Sequence, residues 1–189
     1  MTDWLTWILL GVVAVGAIVV YLSSTAGRLD RLHHRIETAV AALDAQLLRR
    51  TAAAQDLASS GFLDPASALL LSSAAQGTLT AGPLDHDART VAESELTSAL
   101  AAVLDDPEVI DDIRGEAAPD EELADQLLEE LALACRRTEF ARRFHNDVVR
   151  SCTQVRVKRV CRWFRLAGHT PMPSTIDFDD APPVALDQA

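Results

Sequence analysis

The sequence predicts an all-α protein, with an N-terminal transmembrane helix followed by an elongated antiparallel helical bundle whose first and last helices are long. Three observations carry this expectation. Residues 4–22 form a run of nineteen without a charge, and residues 28–59 contain neither proline nor glycine. From 127 to 155, small and apolar positions recur at alternating steps of four and three, the spacing of bundle and coiled-coil seams. No stretch alternates apolar and polar residues beyond a few positions, so no strand is expected.

The membrane segment comes first in the chain. As a helix rising about 1.5 Å per residue, Trp4 to Leu22 spans roughly the 30 Å hydrocarbon core of a bilayer. Trp4 and Trp7 stand near one end and Tyr21 near the other, where amphipathic rings favour the headgroup level. The competing reading is a cleaved signal peptide, for which Ser24-Thr25-Ala26 supplies small residues. Against it, only Asp3 and no basic residue precedes the run, which is longer than the roughly 7 to 15 residues of a signal core. A retained anchor is expected. Arg28, Arg31 and Arg35 follow the run closely, so the positive-inside rule keeps the bulk of the chain cytoplasmic and the N-terminus outside the cell membrane. The thiols of Cys135, Cys152 and Cys161 suit that reducing side. Gly11, Ala14, Gly16 and Ala17 are not spaced as a G-x-x-x-G pair and read as ordinary small residues of a membrane helix.

Three regions follow from composition. Residues 1–24 are the short N-terminus and membrane helix, 25–167 a cytoplasmic helical bundle, and 168–189 a proline-rich acidic tail, partly disordered. The first bundle helix runs over 28–59, with Leu29, Leu32, Ile36, Val40, Leu43, Leu47, Ala54 and Leu57 on one face. Ser59, Ser60 and Gly61 stop it, and Asp64-Pro65 caps a short helix over 65–76. Gly77 to Pro83 reads as a loop. Asp85 or Asp87 can cap a third helix over 85–104, with Val91, Leu96, Leu100, Val103 and Leu104 inward. Residues 105–122 are acidic and broken by Pro107, Gly115 and Pro119, which leaves room for a brief helical turn at 107–114.

The last helix is expected over 120–160, its acidic start complementing the helix dipole. Its seam is Leu127, Leu131, Ala134, Thr138, Ala141, His145, Val148, Cys152 and Val155, with Leu133, Phe140 and Phe144 widening the buried face. In the tail only Met172, Ile176 and Phe178 offer docking groups, and disorder is expected from about Asp179.

Composition excludes several classes. An apolar content of 49% rules out global disorder, and three cysteines rule out a disulfide scaffold. The net charge of −11 argues against a nucleic-acid binder, but it conceals a division. Residues 61–133 carry −15 and residues 134–166 carry +8.

Two helices carry a family resemblance. Arg35-Ile36-Glu37-Thr38-Ala39 followed by Leu43-Asp44-Ala45-Gln46-Leu47-Leu48-Arg49-Arg50 resembles the signature of the LemA family. Ala141-Arg142-Arg143-Phe144-His145-Asn146-Asp147-Val148-Val149 is similar to that family's alanine-arginine and tyrosine-asparagine segment, and Leu166-Ala167-Gly168 through Pro171, Pro173 and Phe178 to its ending. The chain departs from the pattern at His145, at Cys152-Thr153 and at Gln55-Asp56, and 61–133 does not align with it. The resemblance implies a short non-cytoplasmic end, one membrane helix and an elongated cytoplasmic bundle, and it names no chemistry.

No catalytic constellation stands out. The acidic run Glu116 to Glu130 invites a metal-dependent hydrolase of Nudix type, yet the required order of glycine, arginine-glutamate and paired glutamates is missing. A solvated acidic face accounts for it. The cysteines lack a C-x-x-C and a matched histidine pair, so no zinc site, and no other metal or cofactor, is expected. Adjacent His33 and His34 do not share a helix face, and His86 lies in a cap region. His145 and Asn146 fall on or beside the seam, where a polar group needs a partner; Asp44 or Gln46 on the first helix is the natural one. No serine or cysteine nucleophile with an oxyanion site can be placed beside His145.

The strongest functional signal is the basic segment. Arg156, Lys158, Arg159, Arg162, Trp163 and Arg165 combine cations with an interfacial aromatic. A last helix returning toward the bilayer would bring them to the negative inner leaflet, unless the cations instead pair with the acidic middle. The expectation is a non-enzymatic interaction platform at the cytoplasmic membrane surface, with anionic lipid and unidentified proteins as partners, homo-oligomers left open and nucleic acid excluded. The alternative is a membrane-bound hydrolase using Glu121, Glu122, Glu129 and Glu130.

Overall fold

A computed structural model describes residues 3–81, 86–117, 120–164 and 170–188, and among these the regular structure is entirely helical. The helices are α1 (Asp3–Ser59), α2 (Pro65–Thr80), α3 (His86–Leu104), α4 (Pro107–Glu116), α5 (Glu121–Arg156), α6 (Arg159–Trp163) and α7 (Val184–Gln188). The expected all-α class is what forms. Asp85, Gly82, Pro83 and Pro119, invoked above as caps and breakers, lie outside the described residues.

The membrane-type run and the first bundle helix are one helix. Nothing between Ser23 and Gly27 interrupts α1: there is no proline, and the Thr25 hydroxyl donates back to the Tyr21 carbonyl at 2.8 Å. Its N-terminal part is the one described helix apolar and long enough to cross a membrane, and the apolar window is unburied by the rest of the chain. α1 closes at Ser59, and Gly61 turns the chain with a φ of +85°, a region that glycine enters without steric cost. Asp64 then caps α2, accepting from the backbone N–H groups of Ala66 and Ser67; these bonds, that of the Ser67 side chain first, hold its carboxyl below the usual range. Asp106 caps α4 in the same way through Glu108 N–H.

The chain divides into two compact units. The first comprises Met1–Ala39 and Asn146–Thr175. Its core is small: Leu29 and Leu32 of α1, flanked by Ile36, meet Cys152 and Val155 of α5 and Cys161 of α6. The second comprises Val40–His145 and Ile176–Ala189. Its main core joins Ala54 and Leu57 of α1, Leu71 of α2, Leu96, Leu100 and Leu104 of α3, Ile110 and Ile113 of α4, Leu128 and Leu131 of α5, and Leu186 of α7. A satellite cluster packs Leu43 and Leu47 against Phe178 and Ala141. Where Thr138 donates to the Gln46 carbonyl at 3.3 Å, a small polar seam residue lets α5 approach α1.

Several expectations are corrected. α2 continues through Gly77 to Thr80 instead of ending at 76, because Thr78 and Thr80 return hydrogen bonds to Ala75, Gln76 and Gly77 carbonyls and stabilise the last turn. α4 is a ten-residue helix with Ile110 and Ile113 buried, more than a brief turn. α5 stops at Arg156, and Val157-Lys158 separate it from α6, so one helix to 160 does not form. Val91 is 57% exposed, and Phe140 and Phe144 are 65% and 57% exposed, so none of them joins the core. The seam itself is buried from Leu131 to Val155, Ala141 excepted as half-buried. The largest correction is the tail: beyond Asp179 it is ordered, Asp180 is 7% exposed, and Ala185 and Leu186 enter the main core.

Candidate membrane-proximal interface

In the first unit, the apolar span ends at Leu22 and the packed cluster begins at Leu29, seven residues or about 10 Å farther along α1. The same cluster holds Cys161, so α6 is fixed against α1 within two turns of the span. What α6 and its approach leave outward is apolar and cationic. Val157, Trp163 and Phe164 are 55%, 84% and 54% exposed, and Lys158 and Arg159 are exposed beside them. Arg28, Arg31 and Arg35 add exposed cations on α1. Arg165 and the Arg162 side chain lie outside the described residues.

Arg156 is used differently from its neighbours. Its guanidinium donates to the carbonyls of Pro171 and Thr170, each at 2.6 Å, and so ties the end of α5 to the start of the tail. Pairing also divides the basic segment. Arg142 binds Asp180 and Asp177, Arg143 binds Glu139, and Arg150 binds Asp147 at 2.9 Å. Lys158 and Arg159 make no ion pair with a described residue. The ion pairs of Arg142, Arg143 and Arg150 thus run to α5 itself and to the tail, and Lys158 and Arg159 take no part in them.

The seam residues separate as well. His145 and Asn146 are buried and engaged, 2% and 5% exposed. The Asp44 carboxylate accepts from Arg89 of α3 at 2.8 Å, and Gln46 contributes its backbone carbonyl to Thr138 while its buried side-chain oxygen has no hydrogen-bond partner among the described residues. Burial raises the pKa of Cys135 and Cys152, which keeps both as neutral thiols. Glu121, Glu122, Glu129 and Glu130 are all exposed, and among the described residues no three His, Cys, Asp or Glu side chains converge as a metal site would require.

The most elaborate polar site escaped sequence reasoning. Arg50, 1% exposed, donates to the Glu93 carboxylate at 2.6 Å, to the Glu93 carbonyl at 3.1 Å and to Thr97 Oγ1 at 3.1 Å. A signal was available: Leu43, Leu47, Arg50, Ala54 and Leu57 follow steps of four, three, four and three, which places Arg50 on the seam. No family model, curated protein or solved structure matches the chain.

Proposed function

We propose that this chain is a single-pass, membrane-anchored helical bundle of the cell membrane, N-terminus outside, which serves as a non-enzymatic interaction platform on the cytoplasmic side. Residues 157–164 rest on anionic lipid headgroups. The observation that carries this reading is the placement of exposed Lys158, Arg159, Trp163 and Phe164 on a segment packed against α1 directly after its apolar run. A ring at the headgroup level and cations facing an anionic surface each favour that contact, the cations by about 1 kcal/mol apiece. Arg28, Arg31 and Arg35 on the same side of the span support the cytoplasmic orientation. The order of parts is also that of the LemA family, to which we propose a distant relation.

Two measurements test the reading. A reporter fused to the C-terminus is expected to be active in the cytoplasm; activity only outside contradicts the orientation. In nanodiscs, amide exchange over 157–164 is expected to slow several-fold when anionic lipid replaces zwitterionic lipid, and Lys158→Gln with Arg159→Gln should erase the difference. Equal exchange in both lipids contradicts lipid contact.

A further inference from the structure

The tail of the second unit is held as a bound peptide would be. Residues 176–183 form no helix or strand, and their fixings come from three other elements. Arg142 of α5 grips Asp180 through two parallel bonds, Nε to Oδ2 at 2.6 Å and Nη2 to Oδ1 at 2.7 Å, and reaches Asp177 at 3.4 Å. The Phe178 ring lies under two guanidinium groups, 5.7 Å from that of Arg50 and 5.5 Å from that of Arg142. On α3, Thr97 Oγ1 donates to the Asp179 carbonyl at 2.6 Å, and Ser94 Oγ accepts from Asp179 N–H at 3.2 Å. Asp105, just past the end of α3, accepts from Val184 N–H at 2.7 Å.

Part of this groove is held by contacts that do not involve the tail. Arg50 is oriented by Glu93 and Thr97, both on α3, and its buried Nε has no hydrogen-bond partner among the described residues. The tail also leaves the groove incompletely filled. A small void lined by Leu47, Arg89, Glu93, Ile176 and Phe178 shares Leu47, Arg89 and Glu93 with an apolar cavity of about 200 Å³. Leu48, Thr51, Thr78, Leu79 and Asp44 complete its lining. Ile176 lines the small void and not the cavity beyond it, so a larger side chain at that position would fill the void and extend toward the cavity, removing more apolar surface from water.

From these features we infer that the groove between α1, α3 and α5 is a peptide-recognition site, and that the tail is its built-in competitor. The partner is a protein segment with an aromatic residue preceded by an acidic one and followed two positions later by a second carboxylate, with a bulky apolar residue two positions before the ring. Stacked guanidiniums select the ring, the Arg142 fork selects the second carboxylate, and the unfilled cavity rewards a side chain larger than isoleucine. The inference rests on the platform reading and specifies what the platform takes. A tethered competitor present at millimolar effective concentration keeps weak acidic peptides out and yields to a segment that fills the cavity.

The test uses the full chain in detergent without anionic lipid, so lipid contact plays no part in it. A specific protease site placed at Ala167-Gly168 allows the tail to be cut, and the probe is a fluorescent peptide carrying residues 173–188. Cut protein is expected to exchange its tail for the probe saturably, with an apparent affinity at least tenfold above that of uncut protein. Replacing the probe's residue at position 176 by tryptophan should tighten binding several-fold, and replacing its phenylalanine by alanine should abolish it. Arg142→Ala should weaken binding at least tenfold; Arg142→Lys, which keeps the charge without the fork, covers the case in which the alanine variant does not fold. A cut tail that never exchanges while the helical signal persists would overturn the proposal, as would binding indifferent to cutting or to both Arg142 variants. Stable dimers on cutting, with tails traded between copies, would overturn it in favour of self-exchange.

Discussion

Glu93→Ala is expected to lower the stability of the second unit by about 3–5 kcal/mol, because it strands Arg50 as an unpaired charge in the core. The pair is enclosed, with Arg50 1% and Glu93 3% exposed, so solvent cannot replace the lost carboxylate. Thr97 and the Glu93 backbone carbonyl remain as acceptors, but neither carries charge. Glu93→Gln keeps an acceptor and should lose less. Denaturant unfolding of the full chain in detergent, followed by helical circular dichroism, reads the effect as a shift in midpoint. A shift below about 1 kcal/mol for the alanine variant would mean that water reaches Arg50.

Phe178→Ala is expected to cost about 3–5 kcal/mol in the same assay. The ring is 7% exposed, packs with Leu43 and Leu47, and gives two guanidinium groups an aromatic face. Without it, Arg142 and Asp180 lose the apolar cover that makes their paired bonds effective. The same variant should render 176–188 accessible to proteolysis while α1 and α5 remain helical. A tail equally protected in variant and parent would show that Leu186 and the Asp105 contact suffice to dock it.

These two predictions fall on the groups that local pattern conceals. The uncharged run, the proline-free stretch and the four-three seam are properties of neighbouring residues, so both parts of α1, the seam of α5 and the cap at Asp64 can be read directly. The tail is different. Its prolines and aspartates have the composition of a disordered segment, and what holds it is Ser94, Thr97, Asp105 and Arg142, which stand 35 to 85 residues away along the chain. Composition cannot register a partner at that distance. Phe140 and Phe144 show the converse: periodicity places them on one face of α5 without saying whether anything covers that face, and nothing among the described residues does. The basic segment was legible as charge, but its division was not. Arg142 and Arg156 serve the tail, which leaves Lys158 and Arg159 for the surface next to the span.

Lipid contact by that surface is the central claim, and Trp163 reports on it directly. With Trp4→Phe and Trp7→Phe, Trp163 is the sole tryptophan of the full chain. Reconstituted into vesicles whose acyl chains are brominated near the headgroup, its fluorescence should be quenched increasingly as the anionic lipid fraction rises. Lys158→Gln with Arg159→Gln should remove that dependence. Emission that remains unquenched, or is quenched equally in zwitterionic and anionic bilayers, would contradict the account.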